Sequence, residues 1–315
     1  SKRHTEVKLR RVSPFTIHIW PIAGAPLVSF DLNEKVAFTA PANACDAHFH
    51  VFGPADKYPY GSDQLRYAPP LAPLSEYLQL AKHLGLTRYV FVQPSAYGRD
   101  NSCMLDAMRE VGITQSRGIV DIDEDAPDSL LAEMDKLGVR GVRINYSPIH
   151  PYEPGLSKKM QPRIERIAAR CKELGWRLDF LLPGWLTTEM IPLMKTLPVP
   201  FSMAHMGMNL AKDGPDAPGF KALLELMNHG DRKAYVKFTG IYRMSKVPNF
   251  TDSDALAQAL MKAAPDRLIW GSDYPHLSFG ENSSIELFNL LARWTNDEGV
   301  RKLILADNPA RLFGY

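Results

Sequence analysis

The chain alternates between short apolar runs and helical segments, and this alternation narrows the choice of fold more than any other feature. The apolar runs recur at intervals of roughly 25 to 35 residues, the length of one strand-plus-helix unit. Segments with helical periodicity lie between them, among them Leu74–Leu84 and Asp254–Ala263, and Ile285–Trp294 and Asp297–Leu305 follow the last run. The eight predicted strands are Ala44–Phe52, Tyr89–Gln93, Arg117–Asp121, Gly141–Asn145, Arg177–Leu182, Phe201–His205, Ala234–Thr239 and Leu268–Gly271.

Eight alternations over this length predict an α/β fold of the (β/α)8 or TIM barrel type. A doubly wound open sheet would show the same alternation. However, no Gly-x-Gly-x-x-Gly turn follows the first predicted strand, so dinucleotide binding is not indicated. The chain has 315 residues, of which 45% are apolar, which is enough for one large core. We place the catalytic barrel in residues 41–315.

Residues 1–40 are predicted to form a separate N-terminal arm. A basic start is followed by an apolar segment over residues 15–30, which has the outline of a secretory signal. Pro14, Pro21 and Pro26 interrupt the apolar region, and no apolar stretch reaches membrane-spanning length. We therefore expect an arm that packs on the surface of the barrel.

Composition and charge favour a small molecule as the partner. The formal net charge is only +2 and no long Lys/Arg tract is present, which argues against nucleic acid, and nothing indicates a membrane partner. The three cysteines are widely spaced, so neither a disulfide framework nor a zinc ribbon is expected. A reducing, cytoplasmic location fits this cysteine usage, and a homo-oligomer remains open.

Polar residues collect at the carboxyl ends of the predicted strands, where barrel enzymes carry their chemistry. His48 and His50 lie two residues apart on strand 1, so their side chains should point the same way and could hold a metal or donate to one substrate oxygen. A single such residue is most often structural. Convergence on one barrel face favours a site. The other candidates at these ends are Ser95, Asn101, Arg143, His205, Arg243, Asp273 and His276.

These motifs resemble the amidohydrolase superfamily and, more narrowly, the 2-pyrone-4,6-dicarboxylate lactonase group. The resemblance extends from about residue 42 to residue 315. It is carried by the segments Ala44–Pro54, Gln93–Asn101, His205–Gly207 and Trp270–His276. The resemblance to the superfamily implies hydrolysis assisted by a metal, which would require a full set of metal ligands at the strand ends.

The ligand count favours a site without a metal. A binuclear site would need a carboxylated Lys or a Glu from strand 4 and a His from strand 5. Strand 4 offers Arg143 and Asn145, and strand 5 offers Leu181 and Leu182. The lactonase group that the chain resembles works without a divalent metal. We therefore predict no cofactor, with one zinc ion on His48, His50 and Asp273 as the alternative.

Without a metal, side chains must activate water and stabilise the oxyanion. The resemblance implies Asp273 as the general base that takes a proton from water. His48, His50 and His205 would then polarise the lactone carbonyl. The competing interpretation of Asp273 is a structural salt bridge with Arg143 or Arg243.

The predicted substrate is a lactone with one acidic group. The resemblance implies several arginines that grip two carboxylates, and Arg143 and Arg243 match two of them. The other two positions fall at Met208 and near Ile149, which cannot make a bidentate contact with a carboxylate. A muconolactone-type or aldarolactone-type compound fits the remaining charge. Further candidate contacts of this substrate are Tyr60, Ser95, Asn101 and His276.

Three functions are compatible with this pattern. The first is hydrolysis of a carboxylated lactone by water. The second is lactone isomerisation, as in galactarolactone isomerase relatives, in which the same residues serve a substrate hydroxyl or move a proton beside the carbonyl. The third is a non-catalytic binding barrel. The presence of all four central residues, namely His48, His50, His205 and Asp273, counts against the third.

Overall fold

All eight predicted strands form, and they lie in one parallel sheet in the order of the sequence. The computed structural model describes residues 30–61, 65–277 and 282–315. Strands of a parallel barrel are covered on both faces, which is why they appear in the sequence as continuous apolar runs. The strands are β1 (Cys45–Phe49), β2 (Arg88–Val92), β3 (Ser116–Val120), β4 (Val139–Asn145), β5 (Arg177–Leu181), β6 (Phe201–Met203), β7 (Ala234–Phe238) and β8 (Leu268–Trp270).

Helices connect successive strands and pack their apolar sides on the sheet, so the predicted (β/α)8 barrel is confirmed. The bounds predicted for the first and eighth helices agree with those observed. The helices are α1 (Leu74–Leu84), α2 (Ser102–Val111), α3 (Asp128–Lys136), α4 (Leu156–Leu174), α5 (Gly184–Met194), α6 (Pro218–Met227), α7 (Ile241–Met244), α8 (Asp254–Ala263), α9 (Ser284–Trp294), α10 (Glu298–Lys302) and α11 (Asn308–Phe313). No helix in the described ranges is both long and apolar enough to cross a membrane.

Backbone hydrogen bonds join β1 to the segment that follows β8. The Asp273 N–H donates to the His48 carbonyl over 2.9 Å, and the His50 N–H donates to the Tyr274 carbonyl over 2.9 Å. Through these two bonds, the residues at the end of β1 lie directly beside those that follow β8. As a result, the two motifs that are farthest apart in the sequence become neighbours at one edge of the barrel.

Seven strands end earlier than predicted, five of them by a single residue, and local geometry explains the two larger differences. β1 stops at Phe49 because Phe52 leaves the sheet and pairs with Ala72 in an isolated antiparallel bridge. β6 stops at Met203 because His205 has φ of 53°, in the left-handed region, which is incompatible with an extended strand. In both cases the sequence remains apolar or aromatic past the point where the strand ends.

The C-terminal residues cover the amino-terminal end of the barrel. Leu312 and Phe313 of α11 are buried in an apolar cluster that includes residues of β1, β2 and β3. The Tyr315 hydroxyl donates to the Tyr89 carbonyl over 2.9 Å, and Arg117 Nε donates to the Phe313 carbonyl over 3.1 Å. With this end filled, the opposite end of the barrel remains for chemistry.

The prediction of an N-terminal arm falls mostly outside the described residues. From residue 30 onward the chain lies against the barrel surface. Phe38 stacks on Phe288 of α9 with ring centroids 4.6 Å apart, and the Ala37 N–H donates to Asn289 Oδ1 over 2.8 Å. The arm as a unit, the cytoplasmic location and the oligomeric state stay predictions.

Candidate active site

The four central residues predicted from the sequence meet at the carboxyl end of the barrel. His48 Nε2 lies 3.5 Å and His50 Nε2 lies 3.6 Å from Asp273 Oδ1. His205 Nε2 lies 3.9 Å from Asp273 Oδ2. All four side chains are buried. Three of them, His50, His205 and Asp273, line one cavity, whereas His48 is not among its lining residues.

An irregularity in β1 sets the direction of its histidines. Between Asp46 and Phe49 the pairing with β2 shifts by one residue, as in a β-bulge. The Asp46 carboxylate is consequently held away from the site, where it accepts from Tyr77 Oη over 3.1 Å and from the Ser272 N–H over 3.0 Å. Asp46 thus ties the two strand ends together, and the histidines after it face the barrel interior.

Two glycines allow the central side chains to approach one another. A Cβ on Gly271 would lie 2.6 Å from His48 Cβ, so β8 can pass this close to β1 only with glycine at that position. Gly240 has φ of +56°, and a Cβ there would lie 2.5 Å from His205 Nδ1. Asp273 and His205 have positive φ values of 57° and 53°, which are unusual for residues with a side chain and are often found at functional sites.

Asp273 is held as a carboxylate, and its two oxygens have different surroundings. Oδ2 accepts from the Tyr242 hydroxyl and from Arg243 Nε at 3.2 Å, whereas Oδ1 faces His48 and His50. Burial alone would raise the pKa of Asp273, but the charge of Arg243 and the adjacent imidazoles hold that pKa well below its usual range. The salt bridge of the competing interpretation is therefore present, with Arg243, and it leaves Oδ1 directed at the site.

The hydrogen bonds of His50 and His205 constrain the tautomers of their imidazole rings. His50 Nδ1 lies 2.7 Å from the Val92 carbonyl, which can only accept, so Nδ1 carries a proton. Neutral His50 then presents a lone pair at Nε2. His205 Nδ1 lies 2.7 Å from Thr239 Oγ1, a hydroxyl that can donate to it. Burial lowers the pKa of both rings, that of His205 to about 3, so the neutral forms are favoured.

A cavity of about 180 Å³ opens beside His50, His205 and Asp273 and carries positive charge. Its polar wall includes Arg143, Arg243 and Ser95, which were predicted as substrate contacts, and also Arg66, which was not. The apolar wall includes Leu181 and Ile149. A cavity with several guanidinium groups and one carboxylate that is already paired suits an anionic ligand.

Three predicted substrate contacts are not among the residues that line this cavity. Asn101 donates to the Arg99 and Asp121 carbonyls and accepts from the Asp121 N–H, so it joins two loops. Both ring nitrogens of His276 lie within 3.0 Å of backbone carbonyls, those of Asn282 and Ser272. Tyr60 packs against Tyr97, with ring centroids 5.6 Å apart. Their contact with a substrate stays a prediction that the geometry does not favour.

Sequence reasoning missed several residues of the site. Tyr242 lies beside the predicted Arg243, and its hydroxyl contacts Asp273. Lys237 of β7 and Asp179 of β5 form a fully buried ion pair directly beneath His48. A charged residue in the middle of an otherwise apolar strand was the available signal for this pair. No comparable signal marks Arg66, because it lies in the long loop between β1 and α1.

A divalent metal fits these residues poorly. His48, His50 and Asp273 offer ligand atoms within 4.8 Å of one another, which is the alternative that the sequence left open. In the described residues, this is the only such group of three or more, and no further His, Cys, Asp or Glu joins it. The Arg243 guanidinium contacts Asp273, and the Lys237 ammonium contacts His48. Two fixed cations in contact with these three ligands make the binding of a further positive ion unfavourable.

Replacing Gly240 by alanine should impair catalysis by displacing His205. The new Cβ would lie 2.5 Å from His205 Nδ1 and 3.1 Å from Asp273 Oδ2, so the imidazole must move. A displacement of this size should lower kcat by about 100-fold. Gly214→Ala is the matched control, since Gly214 also has positive φ, +73°, but nothing lies within 4 Å of the added Cβ. Equal kcat values for the two variants would contradict this account.

The unfolding free energy should fall between pH 7.5 and pH 5. Burial lowers the pKa of His48, His50, His205 and His276, so the unfolded chain binds protons in this range that the folded chain does not. Each imidazole contributes a loss of up to about 1.4 kcal/mol per pH unit below pH 6.5. Asp46 opposes this in part, because burial raises its pKa to about 6 and the folded state gains that proton.

Urea unfolding at several pH values measures this loss. We expect His205→Gln to flatten the dependence of the unfolding free energy on pH, because one buried imidazole is removed. The variant Gln79→Asn changes an exposed group that does not titrate and should show the wild-type slope. If His205→Gln has the wild-type slope as well, the ring of His205 already binds its proton in the folded state.

Comparisons with known proteins match most of the chain. The sequence profile of the family described as Amidohydrolase matches residues 45–315. The 4-sulfomuconolactone hydrolase of Hydrogenophaga intermedia is 37% identical over 286 residues, which are 89% of this chain and 92% of that protein. The D-galactarolactone isomerase of Agrobacterium fabrum is 26% identical over 294 residues, which are 90% of this chain and 97% of that protein.

A solved structure shows the same similarity in three dimensions. The crystal structure of a Pseudomonas putida protein, provisionally described as a 2-pyrone-4,6-dicarboxylic acid hydrolase, superposes with a TM-score of 0.72. The two proteins are 32% identical, and the similarity covers 86% of this chain and 97% of the other. The likeness therefore extends over the barrel.

Proposed function

The chain belongs to the amidohydrolase family, and from this premise we propose that it opens the cyclic ester of a lactone that carries one anionic group. The relatives named above act on muconolactone-type and aldarolactone-type compounds according to their names. Both compound types combine a lactone ring with acidic substituents. Hydrolysis is the favoured reaction because the relative with the higher identity is a hydrolase.

The observation that supports this substrate class best is the state of Arg143. Its side chain is only 4% exposed, Nη1 donates to the Gln93 carbonyl over 2.6 Å, and Nε has no hydrogen-bond partner. Among the described residues, no carboxylate forms a direct ion pair with it, since the nearby Asp179 and Asp273 are paired with Lys237 and Arg243. A buried cation without a counter-ion is unfavourable. An acidic group of the substrate would supply the missing charge and could accept two hydrogen bonds from the guanidinium.

The proposed reaction begins with Asp273 Oδ1. This oxygen is not occupied by Tyr242 or Arg243, so it can take a proton from water as the water oxygen attacks the lactone carbonyl. The carbonyl π bond breaks, and the negative charge moves to the carbonyl oxygen. When the tetrahedral intermediate collapses, the bond from the carbonyl carbon to the ring oxygen breaks. Asp273 then returns its proton to that oxygen.

Imidazole N–H groups stabilise the charge on the carbonyl oxygen in this proposal. His48 and His205 can each direct Nε2 at that oxygen, and one such donor is worth roughly 3 to 4 kcal/mol of barrier. His50 was expected to act with them. Because its Nδ1 proton faces Val92, neutral His50 would accept a hydrogen bond from the attacking water and orient it, while Asp273 takes the proton. The catalytic set is therefore two donors, one acceptor and one base.

A product assay tests the proposal. The protein is incubated with a carboxylated muconolactone and with an aldarolactone, and the products are followed by NMR and by titration of released acid. Hydrolysis yields an open-chain acid and one new acidic proton per turnover. A rearranged lactone without acid release would instead support isomerisation, which the D-galactarolactone isomerase relative makes the second candidate. No turnover of any anionic lactone would contradict both.

Turnover should survive removal of divalent metals. The purified protein is dialysed against a chelator, its metal content is measured, and its kcat is compared before and after. We expect kcat to change by less than about twofold, because Asp273 and the imidazoles supply the chemistry without a Lewis acid. A stoichiometric divalent ion whose removal abolishes turnover, and whose return restores it, would replace this mechanism by the zinc alternative.

A further inference from the structure

The buried pair of Lys237 and Asp179 has no part in the mechanism described so far. Lys237 Nζ lies 2.5 Å from Asp179 Oδ2, and neither side chain is exposed to solvent. A buried ion pair generally adds little to stability compared with apolar residues of the same shape. Such a pair in the interior of a barrel, one layer below a reaction centre, therefore calls for another explanation.

The pair touches the site through one atom. Lys237 Nζ lies 3.2 Å from His48 Nδ1, so the ammonium bridges the Asp179 carboxylate and the imidazole. An ammonium group has three N–H donors and no acceptor. In this contact His48 Nδ1 must therefore accept, and the single proton of the neutral ring has to lie on Nε2.

The other ring nitrogen of His48, Nε2, is the one that faces the proposed base, Asp273. Nε2 is buried, lies 3.5 Å from Asp273 Oδ1, and makes no hydrogen bond within the described part of the chain. His50, its neighbour on β1, has the opposite tautomer, because its Nδ1 proton faces the Val92 carbonyl. The two histidines of the same motif thus present different groups to one substrate: His48 an N–H and His50 a lone pair.

We propose that Lys237, held in place by Asp179, is a positioning residue that fixes the proton of His48 on Nε2, so that His48 donates to the substrate carbonyl and does not bind a metal. This inference rests on the proposed function only for its catalytic consequence, since the tautomer exists without substrate. It also gives a reason for the poor fit of a metal. A ring nitrogen that carries a proton has no lone pair for a cation.

The position of the His48 proton can be measured directly. In protein labelled with 15N-histidine, correlations between the ring nitrogens and the carbon-bound ring protons distinguish the two neutral tautomers. The His48 signals are identified by their loss in His48→Gln. We expect the wild-type protein to carry the proton on Nε2. A proton on Nδ1 in the wild-type protein would overturn the proposal whatever the substrate is, whereas an inactive protein with the proton on Nε2 would contradict only the proposed function.

Two variants separate positioning from folding. Lys237→Met leaves Asp179 buried without a counter-ion and could prevent folding. The double variant Asp179→Asn/Lys237→Met removes both charges and keeps similar volumes, so it should fold, as checked by circular dichroism. In this double variant we expect His48 to lose its fixed tautomer and kcat to fall by about 10- to 100-fold, with KM changed by less than about threefold. Lys172→Met, on the exposed face of α4, is the control and should behave like the wild type.

Zinc alone provides a second readout that does not depend on activity. Once His48 can move its proton to Nδ1, its Nε2 lone pair joins those of His50 and Asp273. Zinc titrated calorimetrically should therefore bind the double variant at least about 10-fold more tightly than the wild type. If the double variant binds zinc no more tightly and retains the wild-type tautomer and kcat, Lys237 is a structural residue and the proposal fails.

Discussion

Asp273→Asn should lower kcat by about 1000-fold and leave KM within a few-fold of the wild-type value. The amide has nearly the same shape, so it can still fill the space between the imidazoles and Arg243. It cannot take a proton from water, and general-base catalysis typically contributes 10²- to 10⁴-fold. Steady-state kinetics with an anionic lactone, after confirmation of the fold by circular dichroism, measures the effect.

The interpretation depends on two comparisons for this variant. Asp216→Asn changes an exposed carboxylate on the surface and should leave kcat unaltered. Product-like acids or unreactive lactone analogues should bind Asp273→Asn nearly as well as the wild type, because the substituted group acts on the water and not on the substrate anion. A kcat equal to that of the wild type would remove Asp273 as the base.

Arg143→Met should raise KM for an anionic lactone and reduce kcat/KM by about 100- to 1000-fold. Methionine fills much of the same apolar volume but supplies no charge. Removing one partner of a buried, hydrogen-bonded charge pair costs about 2 to 5 kcal/mol, or roughly 30- to 4000-fold, and the expected loss lies within this range. Because the free protein also loses a buried cation without a counter-ion, its unfolding free energy should stay the same or increase.

Two controls make this prediction specific to charge recognition. Arg140→Met removes an arginine from the same strand, β4, but Arg140 pairs with Asp135 away from the cavity, so kcat/KM should hardly change. A lactone of similar size without an acidic group should be a poor substrate for both the wild type and Arg143→Met, with similar kcat/KM values. Equal losses for charged and uncharged lactones would mean that Arg143 supports the structure and does not bind the anion.

The architecture could be predicted from the sequence because a parallel barrel leaves a strong pattern. Strands covered on both faces, such as β2 and β8, give apolar runs, and helices that pack on one side give a regular periodicity. The position of the chemistry follows from the fold class, since all carboxyl ends of the strands lie at one edge. This is why His48, His205 and Asp273 could be assigned to one site before any coordinates.

The direction of individual side chains could not be predicted in the same way. His276 and Asn101 also follow strands, but backbone groups satisfy their hydrogen bonds. No sequence pattern indicates such local hydrogen bonds. The contact between Asp179 and Lys237 joins residues 58 positions apart, and it depends on the stagger between strands of a closed barrel. Arg66 reaches the cavity through a loop whose course no periodic pattern describes.

The hydrogen bonds that join β1 to the segment after β8 have a consequence for how activity is acquired. The groups they bring together, at positions 48 and 273, come from opposite ends of the barrel sequence, so no shorter portion of the ring can hold both. During refolding, seven assembled strands would still lack a base beside the imidazoles. The return of enzymatic turnover would therefore time the moment at which the last strand docks against the first.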